Sequence, residues 1–187
     1  MVQIPYPMVT ERLVLRRFAT SDLDAYYAYQ SLPETARYLY GGPRSYAQCM
    51  GKIAQYVDGT FEKPGDWATF VLSRPGDDAL IGELALKWND GGKPDDGGAP
   101  ERVGEIGWTL APGARGQGYA TEAARAVLGL ARDQLGFTRV EARLDARNQA
   151  SAAICERLGM QFEGVLRNNM YLKGEWTSEA IYAVVRD

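Results

Sequence analysis

The 187-residue chain contains no histidine. That absence removes the Ser-His-Asp triad, the Cys-His pair, the HExxH metal motif and every imidazole base. Proton chemistry, if there is any, must use carboxylates, tyrosine, serine, cysteine, lysine or water. Cysteine is nearly as scarce. Cys49 and Cys155 stand far apart, form no CxxC, and suggest neither a disulfide framework nor a zinc site. No metal is expected. No run of 18 or more apolar residues occurs, so no membrane span is expected, and the opening MVQIPYPMVTERL has no apolar core of the signal-peptide kind. A cytoplasmic protein is the default expectation. Charge of either sign is modest: 21 basic against 24 acidic residues give a formal net charge of −3, which argues against a general nucleic-acid binder.

What is present reads as one mixed α/β domain spanning residues 1–187, a length that can bury its own core. The alternation in Glu11 to Phe18 predicts a first strand. Thr20-Ser21-Asp22 offers a helix N-cap, and Leu32-Pro33 stops that helix. A second helix is expected over Ser45 to Phe61. Trp67 to Ser73 and Ala79 to Trp88 read as a hairpin about Arg74 to Asp78. Asn89 to Pro100, rich in Gly, Asp and Pro, reads as a flexible loop; it lacks the spaced ligands of a calcium site. Val103 to Leu110 is a further strand. After it, Ala120, Ala123, Ala124, Val127, Leu128, Ala131 and Leu135 form one apolar helical stripe, closed by Gly136. Its small residues suit close packing on a sheet. Arg139 to Asp145 is a strand, a short helix capped by Asn148 or Ser151 follows, and Phe162 to Leu172 with Trp176 to Val185 make a last hairpin. The expected fold is thus seven strands, mostly antiparallel, with about four helices.

The centre of the chain is VGEIGWTLAPGARGQGYATE, Val103 to Glu122: strand, Gly-rich turn, helix start. Backbone N–H groups of such a turn converge on one spot, and the helix N-terminus adds partial positive charge, so it is a seat for phosphate. A P-loop is excluded because no GK[ST] follows. A dinucleotide fingerprint fits badly, since Thr121 stands where its third glycine would be.

Arg115-Gly116-Gln117-Gly118-Tyr119-Ala120 resembles the R/Q-x-x-G-x-G/A acetyl-CoA signature of the GCN5-related N-acetyltransferases (GNAT). Asn148-Gln149-Ala150-Ser151 through Cys155-Glu156-Arg157-Leu158-Gly159-Met160 is similar to the same family's Asn-containing helix. The opening Thr10-Glu11-Arg12-Leu13-Val14-Leu15-Arg16 and the closing Tyr171-Leu172-Lys173-Gly174-Glu175-Trp176 resemble its ribosomal-protein N-terminal acetyltransferase (RimJ/RimL-like) branch. The four blocks occur in family order across nearly the whole chain.

The resemblance implies an acetyl-CoA-dependent N-acetyltransferase. Its acceptor would be a primary amine, on a protein N-terminus or a small molecule, and dimers are common in the branch. Backbone N–H groups of Gln117, Gly118, Tyr119 and Ala120, with Arg115 and Gly116 beside them, would hold the pyrophosphate. Trp108, Thr109 and Leu110 would pair with the pantetheine arm, a Thr109 N–H would be the oxyanion donor, and Asn148 would contact the arm. Glu105 is the candidate general base or ammonium ligand. An unperturbed carboxylate near pKa 4.3 is a poor base, so burial must raise it. Many relatives place a Tyr where this chain has Cys155; the branch instead uses a Ser three residues after the Asn, here Ser151, beside the leaving thiolate. Cys155 reads as a packing residue, not a nucleophile, because no base partner is evident. Where the branch often has acidic residues near its end, this chain has Met170 and Ser178. Tyr38, Tyr40, Trp67, Tyr171 and Trp176 are the aromatic candidates for an acceptor pocket. The readings left open are a non-catalytic acyl-CoA-binding module on the same fold and a different donor such as succinyl-CoA.

Overall fold

The computed structural model describes residues 3–91 and 101–186. Most of the stretch expected to be a Gly/Asp-rich loop therefore lies outside the described residues. Its first two positions, Asn89 and Asp90, belong to a strand. Eight strands form one sheet: β1 Met8–Val9, β2 Val14–Arg16, β3 Trp67–Arg74, β4 Asp77–Asp90, β5 Arg102–Leu110, β6 Phe137–Asp145, β7 Gln161–Leu172 and β8 Glu175–Val185. Their spatial order is β1-β2-β3-β4-β5-β6-β8-β7. Every neighbouring pair is antiparallel except β5 and β6. The α-helices are α1 Leu23–Gln30, α2 Pro33–Ala36, α3 Tyr46–Asp58, α4 Tyr119–Gly129 and α5 Gln149–Arg157.

The expected mixed α/β architecture is present, with eight strands and five α-helices instead of seven and about four. The extra strand is only two residues long, below what alternation can reveal. The first expected strand is shorter than read because Thr10 N donates to the Leu13 carbonyl at 2.9 Å and turns the chain there. The extra helix starts at Pro33, which ends α1 and then occupies the first turn of α2, where its missing N–H costs nothing.

Alternation in β5 divides its side chains between two faces. Ile106, Trp108 and Leu110 join the larger core, which β4, α4 and α5 complete with Leu84, Leu86, Ala123, Ala124, Val127 and Cys155. Ala120, Ala123 and Ala124 are all buried, so the small-residue stripe seats α4 closely on the sheet. The stripe continues through a π-helical turn, Leu130–Gln134, and Gly136 at φ 70° reverses the chain. The opposite face carries a smaller aromatic core under α1 and α3, built from Phe18, Tyr26, Tyr29, Cys49, Ile53 and Val71.

One feature of the sheet positions the site. The parallel pairing of β5 with β6 runs only from Arg102↔Phe137 to Glu105↔Glu141. Beyond that point β5 stays on β4 as far as Gly82↔Leu110, and β6 stays on β8 as far as Asp145↔Glu179. The two strands part, and a wedge opens between residues 106–110 and 142–145. The outer wall of the wedge depends on a close approach: a Cβ built on Gly82 would lie 2.7 Å from the Thr109 carbonyl oxygen and 3.1 Å from Leu110 Cα. Gly82→Ala should therefore push β4 from β5 and destabilise the fold by about 1–3 kcal/mol. Urea denaturation checks this; an unchanged midpoint would contradict it.

Candidate active site

The Gly turn and the wedge form one groove of about 1070 Å³. Gly116 and Gly118 take φ 74° and 80°, the left-handed region that glycine tolerates, and Gly118 is the N-cap of α4. No side chain caps this helix, and the N–H groups of residues 117–121 donate to no protein acceptor among the described residues. The turn is held from outside. Arg12 donates from Nη1 to the Gln117 carbonyl at 2.9 Å and from Nε to Glu122 Oε2 at 2.7 Å. Thr10 Oγ1 and the Arg12 N–H both donate to Glu122 Oε1, and these bonds hold the Glu122 carboxyl below its usual range despite partial burial. Arg115 donates to the Leu110 carbonyl at 3.1 Å and to Thr35 Oγ1 at 2.9 Å, and so joins turn, strand and α2. Polar side chains thus fix the turn while leaving its amides free for an anion.

A second cavity, about 220 Å³, lies on the α1/α3 face of the wedge. Trp108, Thr109, Asn148 and Ser151 line both cavities, so the two communicate through the wedge. The floor of the second is Ala85 beside Gly107, and its walls include Tyr38, Tyr40, Tyr56 and Trp67. Of the expected aromatics, Tyr171 and Trp176 are not there: they contact each other at the β7–β8 tip, 62% and 61% exposed. The tip instead contributes Lys173, whose Nζ donates to the carbonyls of Ala36, Arg37 and Leu39 at 2.7, 2.9 and 2.9 Å. That ammonium ties the hairpin to the segment carrying Tyr38 and Leu39, which line both cavities.

Four carboxylates line the smaller cavity: Glu83, Glu105, Asp145 and Glu179. Asp145 is paired with Arg147 at 2.7 Å. Glu179 accepts from Tyr40 Oη at 2.8 Å and from Asn169 Nδ2. Glu105 is half-buried at the last position where β5 pairs with β6, between Lys87 and Glu141. Burial raises its pKa; Lys87 opposes the rise and Glu141 adds to it. Glu83 was not legible in the sequence. It is buried, accepts from Gln30 Nε2 at 2.6 Å, and forms no ion pair within 4 Å among the described residues. Burial pushes its pKa up to about 7, with Arg44 and Lys52 opposing the rise.

The remaining expected site residues fall as follows. Trp108, Thr109, Leu110, Arg115, Gly116, Gly118 and Ala120 line the groove. Tyr119 is buried in the core beneath it, with the Arg12 guanidinium 5.0 Å from its ring centre, and Gln117 turns its side chain back to the Gly113 carbonyl at 2.8 Å. Asn148 caps α5, its Oδ1 accepting from the Ser151 N–H at 3.1 Å. Cys155 is fully buried, and burial pushes its thiol up to about 12. Met170 and Ser178 also line the smaller cavity. Among the described residues no cluster of three His, Cys, Asp or Glu side chains could hold a metal ion, and no helix is long and apolar enough to cross a membrane.

Comparison with known proteins bears on this geometry. Residues 12–161 match the family model described as "Acetyltransferase (GNAT) domain". The uncharacterized N-acetyltransferase YnaD of Bacillus subtilis (strain 168) is 26% identical over 180 residues, covering 96% of this chain and 97% of YnaD. The crystal structure of a GNAT-family acetyltransferase from Bacillus anthracis superposes with a TM-score of 0.80 at 23% identity, covering 96% of this chain and 98% of that one. The Microcin C7 self immunity acetyltransferase MccE, solved in complex with acetyl-CoA and AMP, superposes with a TM-score of 0.75 at 17% identity, covering 95% and 94%.

The Glu83 environment has a consequence for stability. The folded state binds its proton more tightly than the unfolded chain, because burial raises the pKa from 4.5 to about 7. The cost of burying the charge is absent below about pH 4.5, grows through the window up to about 7, and stays constant above. At full size it is about 3 kcal/mol. Glu83→Gln should raise the thermal midpoint at pH 8, and the gain should vanish by about pH 4.5. Thermal melts across this range check it; a loss of stability at pH 8 would contradict it.

Proposed function

Since the chain belongs to the GNAT acetyltransferase family and is an acyltransferase, we propose that it transfers the acetyl group of acetyl-CoA directly to a primary amine. The acceptor is a protein N-terminus or a small-molecule amine, and the opening and closing sequence blocks favour the ribosomal-protein N-terminal acetyltransferase branch. One observation carries the reading: a seat of free amides opens through the wedge into a cavity walled by aromatic rings and carboxylates.

In this reading the amides of Gln117, Gly118, Tyr119 and Ala120 hold the pyrophosphate, where the N-terminus of α4 adds its partial charge. Arg115 and Gly116 shape the approach. The open edge of Trp108, Thr109 and Leu110 pairs with the pantetheine arm, as an added strand would. Thr109 is bonded to Glu83 in the β4 ladder, so the Trp108 N–H, which faces the open edge, receives the charge that develops on the thioester oxygen in place of the expected Thr109 N–H. Asn148 spends Oδ1 on the helix cap and keeps its amide N–H groups for the arm. The Ser151 hydroxyl lies at the junction of the two cavities and donates to the departing sulfur. A thiol of pKa about 8.5 needs little such help. Glu105 takes up the acceptor's ammonium. Cys155, buried and held protonated, takes no part, which makes the transfer direct.

An amine-dependent thiol-release assay over a panel of amines and peptides, with acetyl- and succinyl-CoA as donors, tests the proposal. Turnover with acetyl-CoA and at least one primary amine is expected. Binding of acetyl-CoA without turnover on any amine would leave a non-catalytic binding module, and turnover with succinyl-CoA alone would replace the donor. Gly118→Val, β-branched at positive φ and in the pyrophosphate seat, should weaken acetyl-CoA binding at least about tenfold by calorimetry.

A further inference from the structure

We propose that Glu83 is the proton acceptor of this transfer, and that Glu105 serves as the ammonium's ionic partner. The assignment rests on the acetyl-transfer reading and divides the work between two carboxylates of one cavity. Glu83 stands directly opposite Thr109 on β4, and Glu105 stands opposite Lys87. Between them lie Ala85 and Gly107, opposite each other, and nothing lies within 4 Å of where a Gly107 Cβ would be. The floor is therefore flat and open, with one carboxylate at each end. The Glu83 end is level with residues 108–110, where the reacting carbonyl sits in this reading. The Glu105 end is the closed end of the wedge, where β5 and β6 still pair.

The surroundings of Glu83 differ from those of Glu105 in kind. Tyr26, Tyr29 and Gln30 of α1 lie against it; Arg44 before α3, and Cys49, Lys52 and Tyr56 of α3, complete the shell. Val71 of β3 and Thr109 of β5 flank it in the sheet. Arg44 favours the Glu83 anion from a distance but makes no ion pair with it, and its Nη1 donates to Tyr26 Oη. The Tyr26 and Tyr29 hydroxyls also face Glu83 and favour its anion, without matching the cost of burying it. A buried carboxylate with no ion pair serves the fold poorly. At the edge of a reaction cavity, burial keeps its affinity for a proton close to the working pH, the condition under which a general base is efficient. Glu105, beside Lys87 and more open to solvent, suits a standing ion pair instead.

The step balances. The acceptor's ammonium gives one proton to the Glu83 carboxylate, and the freed nitrogen lone pair forms the C–N bond at the thioester carbonyl. The carbonyl oxygen's charge meets the Trp108 N–H, which faces the open edge. The C–S bond then breaks, and the sulfur keeps the electron pair. A second nitrogen proton reaches the sulfur by way of the Ser151 hydroxyl. Glu83 returns its proton to solvent through the cavity, so each turnover yields an amide, a thiol and one proton.

The test is kcat and KM for the amine from about pH 5.5 to 9.5, for the wild type and for the E83Q, E83D and E105Q variants, with acetyl-CoA affinity measured beside them. E83Q should lose about 10²-fold or more in kcat together with the fall in kcat below about pH 7, while binding acetyl-CoA within about twofold of wild type. E83D should recover part of the rate. E105Q should raise KM for the amine about tenfold, hold kcat within about threefold and keep the acid limb. An E83Q variant with wild-type kcat and acid limb, or an E105Q variant that loses the limb, overturns the assignment alone. Wild-type protein that turns over no amine overturns the transfer reading, and this assignment with it.

Discussion

Both cavities depend on one place where two parallel strands stop hydrogen-bonding. Adjacent strands share a twist, and each strand follows the neighbour to which it is bonded over the longer distance. β5 is bonded to β4 over nine positions and to β6 over four, whereas β6 is bonded to β8 over seven. Past Glu105 and Glu141 each strand keeps its antiparallel partner, and the parallel contact gives way. The result is an interior sheet edge with unspent backbone donors and acceptors. Such groups are costly to bury without a partner, so an interior edge invites an extended ligand. An amide-rich chain such as pantetheine has the groups to satisfy it.

The wedge alone would be only a slot. Its two ends acquire opposite electrostatic character from elements far apart in sequence. At one end the left-handed glycines and the uncapped start of α4 present N–H groups, and the Arg12–Glu122 bonds hold the turn without using those amides. At the other end carboxylates collect on the face that α1 and α3 cover. Lys173 and Tyr40 bind the last hairpin to the segment after α2, which closes one side of both cavities. Free amides and carboxylates thus lie at the two ends of one wedge, as the proposed transfer requires.

Much of this was legible locally. Gly116, Gly118 and the apolar stripe of α4 are short-range signals, and they are where the sequence places them. The wedge was less so, because strand parting depends on which neighbours win, and no periodicity records that. β1 escaped notice at two residues, and α2 because Pro33 can end one helix and begin the next. Glu83 was the largest omission. In ALIGELALKW it is one acidic residue in an apolar run, and a strand reading treats it as a cross-strand partner. Its weight comes from Tyr26, Tyr29 and Gln30, more than 50 positions away, closing over it. Glu105 is legible because it stands alone among the small or apolar neighbours Gly104, Ile106 and Gly107, at a level of the strand where the family resemblance implies a carboxylate.

The central claim is that the open edge of β5 receives the cofactor arm. Backbone hydrogen exchange with and without saturating acetyl-CoA measures this most directly, because a newly bonded amide exchanges slowly whatever the side chains do. The expected result is new protection at residues 108 and 110, whose amides face the open edge, together with residues 117–120, and little change at Thr109, β3 or β7. Protection confined to the Gly turn, with residues 108 and 110 exchanging as in the free protein, would contradict the account.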